Sequence, residues 1–503
     1  PHRRGQSVQP VFCMPIPPVF LRPIIAHLRA VPPYGILNAR KGGVFLSIDI
    51  EKLVQSQQHY FASGRTRDIA FRKQALSRLE SAVVQYEERI LSALSEDLQK
   101  SHFEGYMTEI GMVRAELSYV QKRLARWARP QRVKTPLAQF PAKSVILREP
   151  YGSVLILAPW NYPFQLCLEP LIGALAAGNC AVLKPSAYAP HTAQVLKSMI
   201  ESCFPPEYVA VVPGGRAENL ALLDQPFQFI FFTGGATVGR FVMEKAARHL
   251  TPVCLELGGK SPCIVDSTAH VRLAAKRIVF GKCLNAGQTC VAPDYVLVDR
   301  AVKDEFCREA QRYIEQFYTK DPLSNPAYPR IVNQKHFDRL LSLMEGGHVL
   351  CGGHSSAERL QIEPTLLDQV SPDSPLMAEE IFGPLLPILT FSERAQAIEF
   401  VNARPHPLAL YLFTSDKAFS DQVLSSVSFG GGCVNDTIIH LATSRMGFGG
   451  VGPSGMGQYH GKRSFDTFTH EKSIVKKATW LDLPIRYQPA TRRKMRLMRR
   501  FLK

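Results

Sequence analysis

The sequence predicts an α/β protein built on a parallel sheet with helices on both faces. Two observations carry this reading. Short apolar runs, "SVLILA", "CAVL", "YVAVV" and "FIFF", recur between residues 153 and 232. Each is followed by a longer segment of helical spacing, such as "QLCLEPLIGALAAG". Strands buried on both faces read as unbroken apolar runs, and their alternation with helices is the pattern of a parallel sheet. Ligands of such sheets bind beyond the carboxyl ends of the strands, so the informative residues should directly follow each run.

Taken in order, residues 1–47 are basic, with six Lys or Arg and no acid, and their apolar run at 11–35 is cut by prolines at 15, 17, 18, 23, 32 and 33. A membrane helix needs roughly 20 uninterrupted apolar residues. A secretory leader needs a continuous apolar core and a small-residue cleavage site. Neither is expected here; the stretch reads as a disordered extension or translated upstream sequence, with a weak, Pro-bound interaction segment as the alternative. From Thr66 the spacing turns helical, with Leu76, Leu79, Val83, Tyr86, Ile90 and Leu94 stepping by three and four and Asp68 near the start. Helix continues to about Ala128. There "RPQRVKTPLAQFPAKSVILREPYG" breaks the pattern with three prolines before Pro150 and reads as an extended, hairpin-like excursion. The apolar runs follow. At the far end, "TRRKMRLMRRFLK" places Arg492, Arg496, Arg499 and Lys503 at helical spacing, with Met495, Met498 and Leu502 on another face. Such a helix suits weak peripheral contact with an anionic membrane. The plainer alternative is a helix end docked on its own protein by the Met/Leu stripe.

Bulk properties exclude several function classes. At 503 residues, 46% apolar and 20% charged, the chain has an ordinary globular composition and room for about two to four domains. The net charge of +17 is concentrated at the ends: residues 491–503 add seven Lys or Arg without an acid to the six of the first 47. The body between is nearly neutral, so no nucleic-acid groove is expected. The 11 cysteines are scattered, with no C-x-x-C and no Cys/His zinc spacing. That argues against a disulfide framework or a metal site and fits a reducing, cytoplasmic setting.

The residues after the apolar runs carry the chemistry. Asn161 follows the first run in "PWNYPF", where it could equally cap a helix. Lys184 ends the second. Gly234 and Gly239 of "TGGATVGR" follow the fourth, where glycines let a backbone approach a pyrophosphate at a helix N-terminus. Their spacing is not G-x-G-x-x-G, and a plain capping turn would look the same. Glu256 stands beside a glycine pair in "LELGGKSP". "GKCLNAGQTC" holds two cysteines seven positions apart, Cys283 and Cys290; free cysteines are more often packed than reactive.

"PWNYPF", "LELGGKSP", "NAGQTC" and "EEIFGP" (379–384), in this order, resemble the aldehyde dehydrogenase superfamily. "FASGRTRDIAFRKQAL" and "FGGVGPSGMGQYHGKRSFDTFTH" resemble its class 3 branch of fatty and aromatic aldehyde oxidisers. The resemblance runs from about Asp49 to the last residues. It implies an aldehyde dehydrogenase-like fold: a Rossmann-type NAD(P)-binding domain (48–128 and 148–257), an α/β catalytic domain (258–445), and a small β oligomerisation arm (129–147 and 446–490). Residues 491–503 form the basic tail.

The resemblance also implies roles. Cys290 matches the nucleophile, which adds to the aldehyde carbon and later carries a thioester; Cys283 matches nothing and reads as packing. Asn161 matches the side-chain donor to the oxyanion, with the backbone N–H of Cys290 as its partner. Glu256 matches the carboxylate that activates water or the thiol. Glu380 matches the residue holding the nicotinamide ribose, with Phe382 against the ring; in class 3 enzymes this glutamate can share the base role. Lys184 matches the contact to the adenosine ribose, and Tyr162 is expected to line the aldehyde channel. Where the family commonly has Lys-Pro-Ser-Glu, this chain reads "KPSAYAP". Ala187 removes a carboxylate that would repel a 2′-phosphate, so both NAD and NADP are expected to serve. The implied partner is a second copy of the chain, in a homodimer. Alternatives are acyl transfer to coenzyme A, against which Glu256 argues, and a silent relative that kept the fold as a binding or structural protein.

Overall fold

Helices Ile50–Ala62, Ile69–Gln85, Glu87–Leu98 and Gly111–Trp127 precede the first strand. The structure, a computed structural model, describes residues 49–501, so the extension expected at 1–47 lies outside the described residues. The first helix starts ahead of the expected boundary at Thr66, because Asp49 caps it by accepting from the Lys52 N–H. Asp68 caps the second through the Ala70 N–H. Leu76, Leu79, Val83, Ile90 and Leu94 are fully buried, as their spacing predicts, but the row breaks at Tyr86, which joins two helices. Between Ser101 and Gly111 lie a short helix, His102–Gly105, and a π-helical turn, Tyr106–Ile110.

β1 (Gln131–Val133) and β2 (Ala142–Pro150) form the antiparallel excursion. β3 (Ser153–Leu157), β4 (Cys180–Lys184), β5 (Val209–Val211), β6 (Phe229–Thr233) and β7 (Val253–Glu256) then pair in parallel. The second half supplies β8 (Pro262–Val265), β9 (Tyr295–Asp299) and β10 (His348–Cys351). A small hairpin, β11 (Ser355–Ser356) with β12 (Gln361–Ile362), precedes β13 (Thr365–Asp368), β14 (Leu385–Phe391), β15 (Ala409–Phe413) and β16 (Gly431–Val434). β17 (Gly455–Met456) and β18 (Thr469–Lys477) close the set.

Among the described residues, three larger sheets and the β11-β12 pair organise these strands. The first has the order β17-β7-β6-β3-β4-β5. Every residue of β3, β4 and β6 is buried, which is why these runs carry no polar alternation. The chain winds from β3 outward through β4 and β5, then returns to β6 on the other side, so the winding reverses between β3 and β6. That reversal opens a crevice at the carboxyl ends of these two strands. The second sheet has the order β10-β13-β14-β9-β8-β15-β16, parallel except at β10. The third is β1-β2-β18. Residues 446–490, expected as one arm, are divided between two sheets. Gly455–Met456 pairs antiparallel with β7, and only Thr469–Lys477 joins β2.

Helix Gln165–Ala177, buried along its whole length, follows β3 and fills the core beneath the crevice. The tail forms the helix Arg492–Phe501, as its spacing predicts. Leu497 and Met498 line a groove of about 1030 Å³ with Leu137, Val475 and Leu483 of the arm, while Met495 is 52% exposed. Leu497 is itself 44% exposed and Arg493 lines the same groove, so the helix is tied down chiefly by the Lys494 ammonium, which donates to the Tyr487 and Pro489 carbonyls at 2.8 and 3.1 Å; Leu502 and Lys503 lie outside the described residues. No helix among the described residues is long and apolar enough to cross a membrane.

Candidate active site

The loop carrying Cys290 is built residue by residue from "NAGQTC". Helix Val271–Cys283 ends in a 3₁₀ turn, and Asn285 and Ala286 take left-handed backbone angles. Such strained positions cluster at functional sites. Asn285 donates through Nδ2 to the Asn161 carbonyl at 2.8 Å. Gly287 must be glycine: its φ is +75°, and a β-carbon there would lie 2.1 Å from the Gly383 carbonyl oxygen. Gln288 donates to the Arg330 carbonyl and accepts from the Val332 N–H, each at 3.0 Å. The Tyr411 hydroxyl holds the Val291 carbonyl at 2.6 Å. The result is a loop fixed on every side, with the Cys290 thiol at its tip.

Two other loops meet it. "LELGGKSP" leaves the end of β7, and "EEIFGP" precedes β14. Gly258 lets them close up, since a β-carbon on it would sit 1.9 Å from Glu380 Oε2. Lys260 ties both loops to the Cys290 side: it pairs with Asp294 and donates to the Leu376 and Glu379 carbonyls at 2.9 and 2.8 Å. Asp294 in turn accepts from the Ile381 N–H at 3.0 Å. Phe382 takes φ +51°, an unusual angle for an aromatic residue, and meets Trp160 edge-on at 5.3 Å.

Six of the residues singled out in the sequence line one cavity of about 310 Å³: Asn161, Gly234, Glu256, Cys290, Glu380 and Phe382. It lies at the crevice where the winding reverses. The Asn161 amide donates one hydrogen to the Gln288 carbonyl at 3.0 Å, leaving its second N–H uncommitted. The capping alternative for Asn161 does not hold. Helix Gln165–Ala177 is capped by the Glu109 carboxylate, which accepts from the Phe164 and Gln165 N–H groups.

Burial dominates the electrostatics. It pushes the Cys290 thiol up to about 12, helped by the negative charge of Glu380 and Glu256 and opposed by the Cys290 and Val291 N–H groups at the sulfur. Burial and the two carboxyl groups thus favour the protonated thiol at rest. Glu380 is pushed up to about 8 by burial and then by Asp294. Glu256 is raised well above the carboxylate range by burial, and its Oε2 has no hydrogen-bond partner. The geometry thus sets a neutral thiol beside two carboxyl groups that hold protons readily.

Three expected residues stand apart from this cavity. Tyr162 does not line it; it is buried, its hydroxyl bonded to Thr289 Oγ1 at 2.6 Å, because it points the opposite way from its neighbour Asn161. Gly239 lies inside helix Ala236–Ala247, where a β-carbon would strike Leu257 at 2.6 Å; it serves helix–strand packing, and Gly234 and Gly235 do the lining. Lys184 ends β4 with its ammonium on the Pro185 and Gly214 carbonyls at 2.8 and 2.7 Å. Cys283 is buried in the core, as expected. Sequence reasoning missed His336 and Arg339, which also line the cavity, and the buried groups behind it, Lys100, Glu104 and Glu109. No spacing signal marked them. Among the described residues no cluster of His, Cys, Asp or Glu is arranged to hold a metal.

Comparison with known proteins matches residues 46–474 to the aldehyde dehydrogenase family. The chain is 49% identical to the 4,4'-diaponeurosporen-aldehyde dehydrogenase of Staphylococcus aureus (strain NCTC 8325 / PS 47), over 88% of this chain and 96% of the relative. It is 45% identical to aldehyde dehydrogenase family 3 member B1 of Bos taurus, again over 88% and 96%. A solved structure of the substrate-bound state of Staphylococcus aureus AldH superposes with a TM-score of 0.89 at 48% identity, covering 90% of this chain and 99% of that one. The P. syringae AldA indole-3-acetaldehyde dehydrogenase, in complex with NAD+ and IAA, gives 0.78 at 27% identity, covering 86% and 89%. The chain belongs to the aldehyde dehydrogenase family, among its family 3 members.

Proposed function

We propose that this chain oxidises aldehydes with long apolar or aromatic tails to carboxylic acids, using NAD or NADP and a thioester on Cys290. The observation that carries the reading is the convergence of Cys290, Asn161, Glu256 and Glu380 on one cavity at the carboxyl ends of β3 and β6. The residues fit a dinucleotide. Gly234 and Gly235 open a twelve-residue helix whose N-terminus favours a pyrophosphate, and the buried Thr233 Oγ1 on the same cavity has no partner. Glu380 and Phe382 would hold the nicotinamide end, and Lys184 the adenosine ribose.

The thiol, protonated at rest, passes its proton to one of the two carboxylates, and the sulfur adds to the aldehyde carbon. The free Asn161 N–H meets the oxygen as it gains charge. The chemistry supplied by bound NAD or NADP is acceptance of the hydride from this carbon, which leaves a thioester. The other carboxylate then takes a proton from water as its oxygen attacks the thioester carbon; the C–S bond breaks and the acid leaves, the sulfur takes back the proton held by the first carboxyl group, and the proton taken from water passes to solvent. The relative named for 4,4'-diaponeurosporen-aldehyde supports a long apolar substrate. The arm, through the exposed edge strand β18, would pair two copies, and the basic tail helix would touch anionic membrane weakly. The deciding assay is aldehyde-dependent formation of reduced nicotinamide, absent in Cys290→Ala with circular dichroism unchanged. Parental turnover in that variant would overturn the mechanism.

A further inference from the structure

Behind the cavity wall, the segment from Lys100 to Ile110 buries three charged side chains that the reaction as described does not use. The Lys100 ammonium, with no exposure at all, pairs with Glu109 Oε1 at 2.6 Å and donates to the Asn161 carbonyl at 2.8 Å. It also lies 4.0 Å from the centre of the Tyr162 ring. The second Glu109 oxygen accepts from the Phe164 and Gln165 N–H groups at 2.8 and 3.2 Å, so it grips the chain three residues past Asn161. Glu104 Oε1 accepts from the Asn285 N–H at 2.7 Å, and Asn285 closes the circuit by donating to the same Asn161 carbonyl. Glu109 projects from the π-helical turn Tyr106–Ile110, a rare local geometry that recurs at functional sites. Desolvated charges are costly unless each is answered, and here each is answered by the backbone around Asn161 or Asn285.

We propose that Lys100 and Glu109 are positioning residues for the reaction, fixing the Asn161 backbone so that its uncommitted amide N–H faces the aldehyde oxygen on Cys290. The proposal rests on the oxyanion role assigned to Asn161. Lys100 and Glu109 touch neither substrate nor cofactor. They set where the Asn161 donor sits, and a displacement on the order of 1 Å in such a donor lowers turnover by about a hundredfold.

The test is a double-mutant cycle in the full chain, with kcat, KM for NAD and alkylation of Cys290 by iodoacetamide as readouts. Lys100→Met is expected to lower kcat by about ten- to a hundredfold, leaving KM for NAD within about twofold and alkylation at the parental rate. In an Asn161→Ala background the same change is expected to cost less than about twofold, because the donor it positions is gone. If Lys100→Met does not fold, Lys100→Met with Glu109→Gln removes both charges while keeping shape, and the same outcomes apply to that pair. An equal loss in both backgrounds, or no loss in either, overturns the positioning role. Asn161→Ala with parental kcat overturns the oxyanion reading instead, so the two failures are told apart.

Discussion

Replacing Gly258 by alanine isolates the placement of one carboxylate. The new β-carbon would stand 1.9 Å from Glu380 Oε2 and 2.7 Å from its Cδ, where ordinary contact begins at 3.4 Å. The carboxyl group must therefore retreat by about 1.5 Å, and misplacement of that order costs about a hundredfold in rate. The backbone has no reason to object, since Gly258 is not among the glycines with left-handed angles. The atom in the way is the far end of a flexible side chain, so the fold should yield at little cost. Expected, then, are a melting temperature within about 3 °C of the parent, a kcat lower by on the order of a hundredfold, and a raised KM for the dinucleotide. Scanning fluorimetry and steady-state kinetics with saturating aldehyde measure all three. Parental kcat and KM together would refute the claim that this carboxylate must lie against the Gly258 backbone.

Asn161→Ala should lower kcat by about a hundred- to a thousandfold with binding of NAD intact, the usual cost of one lost oxyanion donor; isothermal titration and single-turnover rates separate the two. With Glu380 pushed up to about 8, a base that works ionised should give a rate rising through that pH, roughly tenfold from pH 7 to 9, and Glu380→Gln should flatten the rise. Glu104, pushed up to about 7 by burial against the opposing charge of Lys100, binds its proton more tightly folded than unfolded. Its contribution is therefore full below about pH 4.5 and lost as pH climbs through 7, a change of about 3 kcal/mol. Glu104→Gln, which keeps the acceptor for Asn285, should remove that decline in urea melts at pH 5 and pH 8. Ala187→Glu should cut kcat/KM with NADP by about tenfold or more while sparing NAD, by repulsion of the 2′-phosphate.

Several of the residues that line the cavity were legible because topology dictates where they stand. Asn161 and Gly234 directly follow buried strands, and Glu256 ends one; Cys290 and Glu380 came from the resemblance of the loops that hold them. Orientation was harder to read. Tyr162 is Asn161's neighbour yet faces Thr289, because adjacent loop residues need not share a side. Gly239 looked like a phosphate-approach glycine, but the helix turns it onto Leu257. Lys100, Glu104 and Glu109 were invisible for a different reason. Charges in a helical stretch ordinarily mark a solvent face, and only tertiary packing turns these inward. The protonated state of Cys290 is likewise a property of burial and of two carboxyls distant in sequence. β17, two residues long, gives no periodic signal at all.

The cavity draws Asn161 and Gly234 from loops of one sheet and Glu256 from the end of its strand β7, and Cys290, Glu380 and Phe382 from loops of the other sheet. A molecule lodged there would act as a mortar joint between two walls, because it would touch both. Loading the joint should delay thermal collapse of the whole chain in proportion to the logarithm of ligand concentration. Heat resistance would then become a gauge of occupancy, readable without any turnover.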